Sequence, residues 1–426
     1  MPIKLSRLKR SRALLILFGA FALFALIGFF AAVNRWPKFG AQGADVLRPI
    51  LGNQAVAELE MILFRTQDAL QRWEFALGLI KPQAPWEITT AQIPPAKTSN
   101  PEVVSIKEPA PPSPSPVPIT SNTAAPSSEP DIRPLSPTPT ATTPTPAPWE
   151  PAPASPSGTL EGEGLWSKYI QDSAGHTVAY RTFIQPDPSR PYAVVAVIAF
   201  NLNQSRLHYV LGSVEPYSPD SPKRSGTINP KDLKPGVLLA TFNGGFKATH
   251  GQFGAMAGGI TALPGREGLG TLVINGDGKV SMGEWGVDIY PAGDVQAWRQ
   301  NGPLVIHNGQ INPKIYDNSP KDWGYTVDDV SPTWRSGIGI NADGSTLYYF
   351  VGPKMTMESL AKTMLAVGAV QGMQLDINNY WVHFVTIHWE DHIPLAIPLF
   401  PDSMGENVDR YLHPYTRDFF YITSLP

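Results

Sequence analysis

The sequence predicts an α+β architecture: a strand-rich single globular domain with a mixed sheet, behind a transmembrane helix, a heptad helix and a Pro-rich linker. Three observations support this. Apolar runs separated by Asn-Gly and Asp-Gly pairs recur through residues 158–426, and such pairs are the strongest local hairpin signal. One clear helical pattern interrupts them, directly before another strand-like run. Of 45 prolines, about half crowd into residues 81–157, a composition that cannot bury a core.

Taken in order, residues 1–12 hold Lys4, Arg7, Lys9, Arg10 and Arg12, and residues 13–33, Ala13 to Val33, hold no charge. About 20 apolar residues span a bilayer, whereas a cleavable signal core is usually ~7–15 long. No small-x-small cleavage pattern ends the run, so an uncleaved transmembrane anchor is expected. The basic excess before it puts the N-terminus in the cytosol and the main domain in an extracytoplasmic position at the cell membrane. Within residues 52–80, Val56, Leu59, Leu63, Thr66, Leu70, Trp73, Leu77 and Ile80 alternate in steps of three and four. This a/d stripe suits a homo-oligomer, and equally a single amphipathic helix lying on lipid or packed on the domain. Pro82 stops it. Residues 81–157 read as a disordered Pro/Ser/Thr-rich linker, extended enough to serve as a stalk across a cell envelope.

Residues 158–426 are the globular block. YAVVAVIAFNL (192–202) and VLLATF (237–242) read as buried strands. Thr356 caps a helix carrying Met357, Glu358, Leu360, Met364 and Leu365, which Gly368 closes, and the strand MQLDIN follows.

Composition excludes several functions. A net charge of −3 gives no electrostatic case for nucleic acid. With no cysteine, thiol catalysis, disulfides and thiolate zinc sites are excluded. His383, His388 and His392 cluster without a zinc spacing, so no metal or cofactor is expected, and assistance by a divalent cation stays open.

Four stretches place polar residues at strand ends. Asn243-Gly244-Gly245-Phe246 ends a buried strand, where glycine lets backbone amides approach a ligand; a plain turn is the ordinary alternative. Arg299, Gln300 and Asn301 precede an apolar strand, and Arg335 opens another. A guanidinium there can grip a phosphate with two parallel hydrogen bonds, although a single arginine more often makes a surface ion pair. In MQLDINNYWVHF, residues 373–384, strand alternation sends Met373, Leu375 and Ile377 one way, and Gln374, Asp376 and Asn378 the other. Tyr380 and Trp381 offer flat apolar faces with polar edges, suited to a sugar ring or to capping a sheet.

The order of these pieces resembles the phosphodiester glycosidase domain. It comprises Asn243 to Phe246, the Arg335 to Gly339 strand before an Asp-Gly hairpin, a Met-Glu-Ser-Leu-Ala-Lys helix and Leu375-Asp376. The resemblance implies an extracytoplasmic α+β hydrolase of sugar-1-phosphodiesters. It matches Asn243, Gly244, Gly245 and Phe246 to the family's N-G-G-F motif, Arg335 and Gly337 to its arginine strand, and Asp376 to the acid of L-D-G-G-G-S. Here the chain departs, with Ile377-Asn378-Asn379-Tyr380 where the family has three glycines and a serine. On this reading Asp376 and Arg335 are catalytic. Asn243, Gly244, Gly245, Phe246, Arg299, Asn301, Asn378, Asn379, Tyr380 and Trp381 bind a carbohydrate or glycan phosphodiester. Asp288 and Glu284 are candidates for a second carboxylate. The alternatives are a non-catalytic polysaccharide-binding module and an adhesion scaffold.

Overall fold

A computed structural model describes residues 37–87 and 149–425, apart from Pro291 and the stretches 318–321 and 324–327. The expected anchor at 13–33 and most of the linker lie outside the described residues. Among the described residues no helix is long and apolar enough to cross a membrane.

The strand Val195–Asn201 shows how the domain is layered. All seven of its residues are buried, which needs cover on both faces of its sheet. One face, with Ala196, Ile198 and Phe200, joins the main core; the other, with Val195, Val197 and Ala199, packs toward the helix Met357–Ala366. This strand lies third in an eight-stranded sheet, next to Thr346–Met355, Thr333–Ile340 and Gln371–Ile377 in turn. A five-stranded sheet centred on Leu238–Asn243 and another centred on Val295–Gln300 complete the domain. Phe200, Phe242, Phe384 and Phe420 meet in the main core, with Phe242 4.7 Å from Tyr349 and 5.4 Å from Phe420.

The turn pairs form the expected hairpins. Asn308 and Gly309, with φ of 52° and 74°, make a two-residue turn between Ile306–His307 and Gln310–Ile311, as a type I′ turn requires. Thr356 accepts a hydrogen bond from the Ser359 amide at 3.1 Å, capping the predicted helix. Met357, Leu360 and Met364 are its buried face, while Leu365 is exposed.

The mixed sheet does not form: every ladder between described strands is antiparallel. The helix Met357–Ala366 does cross over between two strands of the same direction. Thr333–Ile340 lies between those strands and pairs antiparallel with both, so no parallel ladder arises.

Two segments outside the sheets pack against them. The helical segment is a pair, α1 (Pro37–Leu51) and α2 (Asn53–Ala76), broken at Gly52 with φ 85°. The pair packs on the domain through Asp68 with Arg190 at 2.7 Å, Arg65 with Asp328, and Met61 and Phe64 against Phe246, Phe253 and Ile377. Of the predicted stripe, Val56 is buried, while Leu59, Leu70, Trp73 and Leu77 remain exposed. The linker is also tied down at both ends. Trp86 lies 5.8 Å from Phe183, Trp149 lies 5.6 Å from Tyr180, and the Ser155 amide bonds the Ala366 carbonyl at 2.7 Å.

Phe242 is fully buried where the eight-stranded sheet meets the Leu238–Asn243 sheet, so Phe242→Ala is expected to cost about 3–5 kcal/mol. Urea unfolding of the two proteins measures it.

Candidate functional site

The site is assembled where Asn243-Gly244-Gly245-Phe246 leaves its strand beside the start of Phe419–Ser424. Asn243 is a buried knot: its Nδ2 donates to the Ser336 hydroxyl at 2.9 Å, and its Oδ1 accepts from Tyr349 at 2.7 Å and the His383 amide at 3.1 Å. Gly244 and Gly245 are glycine for lack of space. A Cβ at Gly244 would lie 2.4 Å from the Asp418 carboxylate, and one at Gly245 2.8 Å from the Arg299 guanidinium. The Gly245 amide donates to Asp418 Oδ2 at 3.2 Å, and its carbonyl accepts from Arg417 at 2.8 Å.

Two buried ion pairs follow from this. Arg299 Nε meets Asp418 Oδ2 at 2.8 Å with both side chains fully buried, and Arg417 Nη2 meets Asp376 Oδ2 at 2.6 Å. Arg417 also lies 4.5 Å from the Trp381 ring centre, and Lys247 Nζ lies 4.9 Å from it. A carboxylate, the Arg417 guanidinium and an indole thus share one small space, which Asn378 and His250 help to line, with Lys247 beside the indole.

Backbone irregularity aims the acid. Arg335 pairs with Ile377 and Gly337 with Gln374, so three steps on one strand oppose two on the other, a bulge of the kind that redirects side chains. Gln374 turns to Arg335 at 2.7 Å, while Asp376 turns to Arg417. Asn301 Nδ2 holds the bulge through the Gln374 and Leu375 carbonyls, each at 2.6 Å. Ser336 holds it from the other side, bonding both the amide and the carbonyl of Asp376 at 3.1 Å.

Several predicted residues therefore have a different place. Arg335 does not face the cavity: its donors go to the carbonyls of Met355, Asp328 and Ser331, to Gln374 and to the Met357 sulfur. Arg299 is likewise enclosed by the carbonyls of Phe246, Phe253 and Gln300. Asn243, Gly244, Gly245, Phe246 and Asn301 form the wall behind the site. Asp376, Asn378 and Trp381 line the cavity itself, with Asn379 and Tyr380 half-buried on the same turn. Asp288 pairs with His307 at 2.8 Å, and Asp288 and Glu284 belong to a turn that does not line the cavity. Arg417, Asp418, Lys247 and His250 escaped the sequence reading. Lys247 and His250 directly follow the Asn243–Phe246 turn, and Arg417-Asp418 is a charged pair directly before an apolar strand.

Asn378 adopts φ 79°, a left-handed conformation in which Asn is one of the few tolerated side chains. It stands where the resemblance places the family's second glycine.

Two acids at the cavity are raised by burial, Asp376 and Glu60. Burial pushes the Asp376 carboxyl up to about 6, against the pull of Arg417 and the Ile377 amide. The second wall of the cavity is the helix pair. Asp45 grips Lys247 at 2.6 and 2.8 Å, Arg48 pairs with Glu60 at 2.8 Å, and Phe64 closes the side. The space left is about 30 Å³, room for roughly two waters and too little for a sugar. Among the described residues no group of three or more His, Asp or Glu is arranged to hold a metal.

Residues 238–376 match the family model of the phosphodiester glycosidases. The match begins at the strand that ends in Asn243 and closes on Asp376, the two stretches whose order the sequence reading rests on. Among solved structures, one similar chain is the catalytic domain of zebrafish N-acetylglucosamine-1-phosphodiester alpha-N-acetylglucosaminidase, auto-inhibited by its pro-peptide. It shows 13% identity and a TM-score of 0.38 over 65% of this chain and 88% of that one. A hypothetical protein from Synechocystis shows 11% identity and a TM-score of 0.29 over 61% of this chain and 64% of that one. No curated protein matches. The family model, not the structural likeness, ties this stretch to phosphodiester glycosidases.

The buried groups give stability a defined pH dependence. Burial lowers His383 to about 3 and His208 to about 4, and holds His250 well below its ordinary 6.5. An unfolded chain takes up these protons near 6.5 and the folded one does not, so their contribution is lost as pH falls from 6.5 toward 3–4. Asp376 runs the other way. Its raised value favours the fold at low pH, and that contribution disappears as pH rises through about 6. Asp329, raised to about 7 by burial, and Glu60, also raised by burial, run the same way as Asp376, so acids and histidines oppose each other between pH 4 and 6.5. His383→Asn removes one of the histidines and is expected to raise the urea midpoint at pH 4 relative to that at pH 6.5, compared with wild type.

Proposed function

We propose that the chain is an extracytoplasmic hydrolase, held to the cell membrane by residues 13–33. On this reading it cleaves the glycosidic C–O bond of a sugar-1-phosphodiester within a glycan. The observation that carries the reading is Asp376: a carboxyl raised to about 6, ending the family-matched stretch, and placed beside two cations and an indole. An acid with that value is ionised at neutral pH and still basic enough to take a proton.

Each group has a role in this account. Arg417 and Lys247 bind the phosphodiester anion, replacing the Arg335 and Arg299 of the sequence reading. Trp381 receives the sugar ring, and Asn378 its hydroxyls. The C1–O bond breaks with its electron pair leaving on the phosphate monoester, a group stable enough to depart without strong general acid help. Asp376 faces the oxocarbenium-like centre and takes the proton of the water that adds to C1. The buried cations stabilise the departing phosphate in a site largely closed to water.

The described state is closed. Asp45 places a carboxylate on Lys247, where the substrate anion would bind, so the helix pair must withdraw before a glycan enters. The zebrafish relative, whose catalytic domain is auto-inhibited by its pro-peptide, offers a precedent for such a cover.

The test is release of free reducing sugar from a panel of sugar-1-phosphodiesters by the full chain. Asp376→Asn is expected to lose activity about 100-fold or more, with circular dichroism unchanged. Asp45→Ala, which frees Lys247 and loosens the cover, is expected to raise turnover about tenfold, as removal of about 1.4 kcal/mol of restraint would. Turnover by none of these proteins, with polysaccharide still bound, would favour a binding module instead.

A further inference from the structure

The outer side of the helix pair is apolar and uncovered by any described residue. Leu59, Ile62, Leu70 and Trp73 of α2 are 53–62% exposed, and Val46 and Ile50 of α1 are 66% and 73% exposed. On a helical wheel the four α2 positions fall within one narrow stripe, opposite Ala57, Phe64 and Phe75, which face the domain. A soluble monomer rarely leaves a contiguous patch of this kind bare.

A second copy would need a single two-row seam. Here α1 widens the patch to the breadth of two helices, which suits a flat partner. The chain itself supplies one. The uncharged run Ala13–Val33 ends three residues before Pro37 opens α1, and three residues reach at most about 11 Å. A bilayer spanned by that run would therefore lie close to the start of α1, within reach of the helix pair.

We propose that this outer face rests on the lipid bilayer, so that the helix pair lies between the membrane and the candidate site. The inference goes beyond the hydrolase reading and shares with it only the anchor at residues 13–33.

The chain has no cysteine, so a single introduced cysteine is a unique label site. The full chain is reconstituted in phosphatidylcholine–phosphatidylglycerol vesicles with an environment-sensitive dye at one of four positions. Ile62→Cys and Leu70→Cys report the patch, Leu23→Cys the anchor, and Ala342→Cys an exposed turn of the domain. Brominated lipid is expected to quench the dye at 23, 62 and 70, with blue-shifted emission, and to leave 342 unchanged. Quenching at 23 alone would overturn the proposal while leaving the anchor standing. Quenching at none would remove the anchor and the proposal together. Blue-shifted but unquenched dye at 62 and 70 would show that protein covers the patch, and would also overturn it.

Discussion

Arg417 and Asp418 stand side by side at the approach to one strand, and each sends its charge to a different buried partner. Asp418 neutralises Arg299 beneath the Asn243–Phe246 turn, and Arg417 neutralises Asp376 at the cavity wall. The Gly245 peptide lies between them, its amide on Asp418 and its carbonyl on Arg417. Removing ions from water costs several kcal/mol apiece, and such pairs persist only when further hydrogen bonds complete them. That demand explains much of the surrounding sequence. It requires glycine at 244 and 245, an asparagine at 301 and carbonyls turned inward around both guanidinium groups. Losing either partner would strand a charge in the core.

The same arrangement separates holding from acting. Arg299 and Arg335 are engaged entirely by the protein, and their rigidity is transmitted to the Asp376 bulge through Gln374 and Asn301. Arg417 lines the cavity, and Lys247 lies next to it, held between Asp45 and the Trp381 ring. The helix pair presents its own carboxylate to Lys247, so occupation of the site by chain and by substrate are mutually exclusive.

Much of this was legible in the sequence because it is local. Thr356 and Gly368 bound a helix through capping chemistry acting over a few residues, and Asn308-Gly309 specify a hairpin turn through φ alone. The buried run at 192–202 and the acid at 376 were equally plain. Strand order was not, because nothing within Met357–Ala366 tells that Thr333–Ile340 will sit between the strands it joins. The surroundings of the two arginines were not legible for a related reason. A guanidinium beside a turn reads the same whether its donors meet a phosphate or a ring of distant carbonyls. Arg417 lies beyond the recognised motifs, and only the pairing of Phe419–Ser424 with Leu238–Asn243 brings it to Asp376. The exposed apolar side of α2 was visible as a heptad stripe, but its partner depends on which face the domain takes first.

The central claim is that Asp376 works at the sugar carbon and not at phosphorus. Hydrolysis of a sugar-1-phosphodiester in ¹⁸O-labelled water tests it directly, with mass analysis of both products. Label in the anomeric hydroxyl of the released sugar, and none in the phosphate, is the predicted result. Label in the phosphate would mean P–O cleavage and would contradict the account.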